Sequence, residues 1–178
     1  MKDGKLALLA FVLSKFPEDP KALDWLEIGC ADYSNLLILK TLGVENLFGV
    51  EVNNSLLEAG IAYDEVATKS IQVTCGLIED FSNNCERRFD VLFSCAVMQH
   101  INPLSNEVFG RLARIAKKYI VTIEAENQCN RFHYPRNYRR MLERYGFEQL
   151  DSVLFTTTSF EGVAMGMVGY TLRIFARH

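Results

Sequence analysis

Short apolar runs alternate along the chain with longer segments in which apolar residues recur every three or four positions. The short runs predict buried strands, and the longer segments predict amphipathic helices. The predicted helices are Lys5–Phe16, Ser34–Leu42, Asn54–Thr68, Ser105–Lys118 and Pro135–Tyr145. The predicted strands are Trp25–Ile28, Asn46–Val50, Ile71–Cys75, Phe89–Ser94, Tyr119–Ile123, Phe147–Thr156 and Gly169–Ala176. This alternation indicates an α/β domain, a doubly wound and mainly parallel sheet with helices on both faces.

Composition narrows the class of protein further. The chain has 178 residues, of which 49% are hydrophobic and 23% charged, so we expect one globular domain rather than a disordered or coiled-coil chain. A lead-in over residues 1–22, mostly helix, would precede a core over residues 23–178. The net charge of −3 disfavours general nucleic-acid binding. No apolar run approaches the roughly 18 residues that a membrane span needs.

Cysteine usage and the chain start both favour a cytoplasmic protein. The apolar run Leu6–Leu13 is short and no cleavage site follows it, so it predicts a helix rather than a signal peptide. The cysteines are odd in number and none belongs to a C-x-x-C pair, which predicts free thiols and no metal site. They are Cys30, Cys75, Cys85, Cys95 and Cys129.

Two segments carry candidate chemistry. In Leu26–Asn35, an acidic residue (Glu27) ends a strand, a turn containing Gly29 follows, and a helix then begins. Such a turn brings backbone N–H groups to a nucleotide at a sheet edge. Glu51 ends the second strand, 22 residues after Gly29, where a carboxylate can accept both ribose hydroxyls. Together the two segments predict a nucleoside-binding site.

These segments, together with Phe89–Ser94, Val97–Ile101 and Gly146–Glu148, resemble class I S-adenosylmethionine-dependent methyltransferases from about Trp25 to Phe175. The resemblance implies strand order 3-2-1-4-5-7-6 with the last-numbered strand antiparallel. It also implies S-adenosylmethionine as cofactor and methyl transfer to a small-molecule or glycan- or lipid-linked acceptor. The implied cofactor-binding residues are Glu27, Gly29, Cys30, Ala31, Asp32, Glu51, Val52, Leu77, Ile78 and Cys95.

The chain departs from the family pattern at three positions. Ala31 and Tyr33 replace the second and third glycines of the turn, and Leu77 stands where the family often has Asp after a glycine. These departures favour one alternative, a catalytically silent methyltransferase-like domain that acts as a binding or scaffold partner. A nicotinamide-dependent reductase is a second alternative, since it shares the turn and the ribose acid, but the chain has no Tyr-x-x-x-Lys pair.

Candidate catalytic residues follow the fourth and fifth strands. His100 lies just past the fourth strand, where the family's active site opens, and is the first candidate for a base. Glu124, with Glu126 beside it, follows the fifth strand and is the alternative. A base is needed only where the acceptor loses a proton as it attacks.

The segment 131–144 holds five arginines and one acid in an otherwise acidic protein. On a helix from Pro135, Arg136, Arg140 and Arg144 would form one stripe, and Arg131 would lie nearest the site. We expect Arg131 and Arg136 to bind an anionic acceptor, because the guanidinium fork matches phosphate and carboxylate. The alternative is a solvated helix face with Arg139 paired to Glu143. With no element predicted to form a cap over the site, we expect an open site. Such a site either suits an accessible acceptor, such as a sugar on a lipid or polysaccharide precursor, or requires a second subunit, a homodimer, to close it.

Overall fold

The structure, a computed structural model, describes residues 2–158 and 166–178. Within these ranges the helices are α1 (Lys2–Ser14), α2 (Ser34–Thr41), α3 (Asn54–Tyr63), α4 (Glu65–Thr68), α5 (Ile78–Asn84), α6 (Glu107–Ile115) and α7 (Tyr138–Glu143). The strands are β1 (Asp24–Ile28), β2 (Asn46–Glu51), β3 (Gln72–Cys75), β4 (Phe89–Cys95), β5 (Ala116–Glu124), β6 (Phe147–Leu154) and β7 (Thr171–Arg177). No helix in the described part of the chain is long and apolar enough to cross a membrane.

The seven strands form one sheet of order β3-β2-β1-β4-β5-β7-β6. Strands β1 to β5 pair in parallel, with Leu26 beside Phe48 in β2 and beside Leu92 in β4. Strand β7 runs antiparallel to both β5 and β6. The predicted fold class and strand order are confirmed.

Helices cover both faces of the sheet and create two apolar cores. On one face α1 and α2 pack with Trp25, which is fully buried, and on the other α6 and α7 pack with Ile120. Strand order reverses between β1 and β4, so their connections leave the carboxyl edge toward opposite sides. Open α/β sheets bind ligands in the crevice at such a switch point.

Two predicted helices are shorter than the periodicity suggested because side-chain caps interrupt them. The predicted helix Asn54–Thr68 breaks at Asp64, whose carboxylate accepts the N–H of Ala67 at 2.9 Å and starts α4. Helix α7 begins only after Asn137, whose side chain accepts the N–H of Arg140 at 2.8 Å. Caps of this kind favour a new helix start over helix continuation.

Two further differences concern α5 and α6. Helix α5 was not predicted, because its seven residues show too little apolar periodicity. Helix α6 ends at Ile115, and Ala116 already belongs to β5, so the predicted helix Ser105–Lys118 was too long at both ends. The buried pattern of β5 continues back to Ala116, which explains why the strand begins early.

Candidate active site

The turn after β1 keeps the left-handed backbone expected of a glycine-rich turn. Gly29, Ala31 and Tyr33 all have positive φ, of 67°, 47° and 62°. A Cβ on Gly29 would lie 2.3 Å from Cγ2 of Val97, so only glycine fits at this position. The two substituted glycine positions therefore retain the turn, at a cost in backbone strain.

Tyr33 points away from the turn and into the core. Its side chain is buried, and a Cβ on Gly60 of α3 would lie 2.6 Å from its Cδ2 atom. Burial raises the pKa of the phenol. The aromatic ring thus packs between α2 and α3, which explains how a bulky residue occupies a glycine position without filling the crevice.

Replacing these two residues by glycine has opposite expected effects. Ala31→Gly relieves left-handed strain and should stabilise the fold by about 0.5–1 kcal/mol. Tyr33→Gly relieves the same strain but removes a buried ring, so we expect a net loss of about 2–4 kcal/mol. Thermal unfolding of both variants beside the wild type measures the difference. A destabilised Ala31→Gly variant would show that the turn is not strained.

A cavity of about 230 Å³ opens at the carboxyl edge, between this turn, the end of β4 and α1. Its lining residues are Lys5, Leu8, Leu9, Gly29, Cys30, Ala31, Asp32, Ser34, Asn35, Cys95, Ala96 and Met167. Five of the predicted cofactor residues therefore meet at one site. The sequence did not predict that α1 forms one wall of the cavity, because a helix that packs over a cavity has the same composition as one that packs over a core.

Glu27 lies behind this cavity and is buried. Asn35, which lines the cavity, donates from Nδ2 to Glu27 Oε1 at 2.6 Å. Oε2 is buried and has no hydrogen-bond partner among the described residues. Burial raises the pKa of Glu27 to about 8, although the bond from Asn35 opposes this shift. A buried orphan acceptor of this kind favours a cationic or N–H-bearing partner.

Glu51 joins the end of β2 to the turn. Its Oε2 accepts the N–H of Ala31 at 3.0 Å, and its Oε1 accepts the N–H of Asn53 at 2.8 Å. A carboxylate has about four lone-pair sites, so each oxygen can accept one further hydrogen bond. Beside it Val52 and Leu77 expose apolar side chains, 58% and 51% accessible. This pair of features suits a nucleoside, with hydroxyls on the acid and a base against apolar carbons.

The two cysteines at the cavity are chemically quiet. Burial is the main cause that raises the pKa of both Cys30 and Cys95 above the ordinary thiol value. Nearby Glu27 raises both further. Both side chains therefore remain protonated and act as small apolar groups.

Glu124 is fully buried beneath the loop that follows β4. Ser94 Oγ donates to its Oε1 at 2.5 Å, as do the N–H groups of Val97 and Met98 at 3.2 and 3.1 Å. The N–H of Gln99 donates to its Oε2 at 3.2 Å. Burial raises the pKa of Glu124 to about 7 in spite of these four donors. This placement does not suit the base predicted at Glu124; it suits a carboxylate that positions the loop.

His100 is exposed and does not line the cavity. Its Nδ1 lies 2.6 Å from the carbonyl oxygen of Phe132, which can only accept, so Nδ1 carries the proton. Its Nε2 lies 3.2 Å from Nε2 of Gln99, a buried residue that the sequence did not single out. Gln99 also donates to Tyr170 Oη at 3.2 Å. In this arrangement Nδ1 of His100 donates to the carbonyl of Phe132 and Nε2 faces the amide nitrogen of Gln99.

Arg136 contacts the protein itself rather than open solvent. It donates to the carbonyl of Met98 at 3.2 Å, to that of Ile101, and to Oδ1 of Asn106 at 3.2 Å, and its guanidinium lies over the Phe109 ring. The substrate-binding role predicted for Arg136 does not fit these contacts, because the fork is occupied. Arg136 precedes α7, so Arg136, Arg140 and Arg144 do not lie on one helix and the predicted arginine stripe does not form.

Of the other charged candidates, one is open to a ligand and two are paired with charged groups of the protein. Arg131 is exposed, with its guanidinium 5.3 Å from the Phe132 ring, and remains open to a ligand. Arg139 pairs with Glu143 at 2.8 Å, as the interpretation of a solvated helix face predicts. Glu126 is buried, and Arg173 donates to both of its oxygens, at 2.5 and 2.9 Å. Glu126 is therefore not an available base.

Comparisons with known proteins agree with this geometry. A family model described as a methyltransferase domain matches residues 26–119. No curated protein sequence matches the chain. Magnesium protoporphyrin IX methyltransferase (ChlM) from Synechocystis PCC 6803, with bound SAH, has TM-score 0.75 and 13% identity over 99% of this chain and 83% of that one.

Two other solved structures are similar. An S-adenosylmethionine-dependent methyltransferase from Mesorhizobium loti has TM-score 0.74 and 13% identity, over 99% of this chain and 100% of that one. The glycopeptide N-methyltransferase MtfA, complexed with S-adenosyl-L-homocysteine, has TM-score 0.73 and 12% identity, over 98% of this chain and 90% of that one. At this identity the likeness establishes the fold.

The sheet order, the turn after β1 and the acid ending β2 define a class I S-adenosylmethionine-dependent methyltransferase. The matched residues 26–119 make up more than half of the 178, and the chain belongs to the methyltransferase domain family. It is an enzyme whose cofactor is S-adenosylmethionine. The alternative of a nicotinamide-dependent reductase is set aside.

Proposed function

We propose that this enzyme methylates a small-molecule or glycan- or lipid-linked acceptor that carries an anionic group, in the cytoplasm. The observation that carries the proposal is the cavity at the carboxyl edge, with a buried, unpartnered carboxyl oxygen behind it and a lysine at its rim. Lys5 Nζ makes a 2.7 Å hydrogen bond to Ser34 Oγ and retains two further N–H donors. A cation at the mouth favours an acceptor of opposite charge.

The residues present fit the cofactor. Glu27 Oε2 offers an acceptor to its ammonium group, Glu51 offers free lone pairs to its ribose, and Val52 with Leu77 offers apolar surface to its adenine. Bound there, S-adenosylmethionine supplies a methyl group already activated on a sulfonium. The protein then has to hold the acceptor in line with that methyl group and exclude water, and proximity of this kind is worth up to about 7–11 kcal/mol.

In this proposal Glu124 and His100 have different tasks. Glu124 positions the residues after β4 through Ser94, Val97 and Met98, which keeps the cavity wall at Ala96 in place. His100 is the candidate to receive the acceptor proton, at Nε2, the nitrogen that does not bond to the carbonyl of Phe132. Because His100 does not line the cavity, the acceptor has to extend beyond the cavity to reach it. Gln99 would then donate to Tyr170 alone.

The acceptor's charge is tested with matched pairs of compounds, each offered in a neutral and in a phosphorylated or carboxylated form, with methyl-labelled S-adenosylmethionine. We expect label to enter the anionic member of a pair preferentially. Arg131→Gln should raise KM for that member without lowering kcat, the signature of uniform binding lost. Arg139→Gln, which removes an arginine already paired with Glu143, is the matched control. Equal turnover of both members would exclude the anionic acceptor.

Cofactor affinity should depend on pH through Glu27. Its pKa of about 8 in the free enzyme makes it mostly protonated at pH 7, whereas a bound ammonium group favours the ionised form. Binding near pH 7 therefore releases a proton, and affinity should rise by up to about tenfold per pH unit between pH 6 and 8 and then level off. Calorimetric titrations with S-adenosylhomocysteine across this range measure the slope. Glu27→Gln should flatten it; an unchanged slope would assign the proton elsewhere.

The predicted homodimer is part of this proposal. In one copy of the chain, a few side chains of α1 form the wall on the acceptor side of the cavity. A second copy would close that side. Sedimentation velocity of the purified chain over a range of concentrations tests for it.

A further inference from the structure

A second pocket, of about 390 Å³, lies at the amino-terminal edge of the parallel strands. Its lining residues are Arg88, Gly110, Ala113, Arg114, Tyr145 and Arg177. Arg88 directly precedes β4, Arg114 lies in the last turn of α6, and Arg177 ends the antiparallel strand β7. The active-site cavity lies at the opposite edge of the sheet, so this pocket is separate from it.

The charged side chains that line this pocket are positive. Three of the lining residues are arginines, and none of those in the described part of the chain is acidic, although the net charge of the chain is −3. Across residues 2–158 and 166–178, none of the three arginines forms a salt bridge. Burial, followed by the charge of Arg88, lowers the pKa of Arg177. Three positive charges close together repel one another when no carboxylate is present, and a bound anion would offset that repulsion.

Backbone carbonyls hold the three guanidinium groups in place. Arg88 Nε donates to the carbonyl of Arg114 at 3.1 Å, and Arg177 Nη2 donates to that of Ala116 at 2.9 Å. Arg114 Nη2 donates to the carbonyl of Ser82 at 3.3 Å. A guanidinium has five N–H donors, so each arginine is anchored at one edge and keeps further donors for a ligand. Anchoring before binding lowers the entropy cost of binding.

The pocket is larger than an inorganic phosphate needs. Its volume lies in the range of small-molecule sites, about 300–1,000 Å³. The Tyr145 ring, on a residue that is 38% exposed, forms one wall against α6. A Cβ on Gly110 would lie 3.1 Å from Cε1 of this ring, so glycine lets the ring lie close to the helix. An aromatic wall beside three arginines suits a phosphate that carries an organic group.

We propose that this pocket binds a phosphate monoester, with Arg88 and Arg114 holding the phosphate and Tyr145 contacting the organic part. The site is distinct from the cofactor and acceptor sites, and a ligand there would bind together with S-adenosylmethionine rather than in its place.

Calorimetry with inorganic phosphate and with phenyl phosphate tests the proposal, at constant ionic strength and with saturating S-adenosylhomocysteine present to fill the cofactor site. We expect both anions to bind and phenyl phosphate to bind several-fold more tightly. Arg88→Gln and Arg114→Gln, two exposed positions with one anchoring bond each, should each weaken binding about tenfold through loss of a charge-assisted hydrogen bond. Arg140→Gln, an exposed arginine outside the pocket, is the charge-matched control and should change nothing.

The organic part is tested separately with Tyr145→Ala, which should remove the advantage of phenyl phosphate and leave inorganic phosphate unchanged. Equal affinity for the two anions in the wild type would show that the site takes free phosphate, and would overturn the monoester. No heat beyond a chloride control, or affinities within twofold of wild type in both Arg88→Gln and Arg114→Gln, would overturn the site itself. Unfolding curves confirm that each variant is folded.

Discussion

Glu124→Ala is expected to lower the free energy of unfolding by about 3–5 kcal/mol and to abolish methyl transfer. The carboxylate is fully buried and accepts four hydrogen bonds, from Ser94 and from the N–H groups of Val97, Met98 and Gln99. Alanine leaves all four donors without a partner in a site that water reaches poorly. The loop after β4 should then lose its position, and the cavity wall at its start should lose order with it.

Urea unfolding and calorimetric titration with S-adenosylhomocysteine measure the two effects. Glu124→Gln is the matched control: it keeps Oε1 for three donors and places an amide nitrogen against the N–H of Gln99, so we expect a loss of about 1–3 kcal/mol. If Glu124 were instead the base, both variants would be inactive while stability and cofactor affinity stayed at wild-type values.

Glu51→Ala should weaken cofactor binding by at least about 1.5 kcal/mol, or roughly tenfold. Two effects add in the same direction. The ribose hydroxyls lose their acceptor, and the N–H of Ala31 loses the bond that ties the strained turn to β2. Glu51→Gln keeps one acceptor oxygen and should fall between alanine and wild type.

Calorimetry with S-adenosylhomocysteine measures the affinity of each variant. Glu58→Ala, at an exposed glutamate on α3 only seven positions along the chain, controls for the loss of one negative charge. Unchanged affinity in Glu51→Ala would show that the ribose binds elsewhere on the carboxyl edge.

The strands and the turn could be predicted because they depend on local pattern, whereas the strand order was implied by the family resemblance. Apolar runs predicted the buried strands. The positions of Gly29 and Glu51 indicated two strand ends that meet at one edge of the sheet. The helix break at Asp64 was harder, since an aspartate inside an amphipathic pattern reads equally well as a solvated residue or as a cap. Helix α5 was missed because its apolar pattern is too short.

The roles of single charged side chains could not be predicted in the same way. Glu124 and Arg136 both follow strands or precede helices near the carboxyl edge, where functional residues gather. Whether such a group faces a ligand or the backbone depends on loops that pack against it from far along the chain. In both cases backbone groups from the loop after β4 fill the hydrogen-bonding positions.

Tyr33 illustrates the opposite error, a departure that looked more disruptive than it is. The sequence shows a ring at a glycine position, but not that Gly60 on the facing helix makes room for that ring. The left-handed backbone is therefore retained without glycine at two of the three turn positions.

Calorimetric titration of the wild-type chain with S-adenosylhomocysteine is the most direct test that the turn, Glu27 and Glu51 form a working cofactor site. We expect one binding site with a dissociation constant in the low- to mid-micromolar range, which corresponds to a free energy of binding of about −7 to −8 kcal/mol. Thermal unfolding should shift upward in parallel, because the ligand binds only the folded state. No heat and no thermal shift at millimolar ligand would contradict the assignment and leave a methyltransferase fold without a cofactor site.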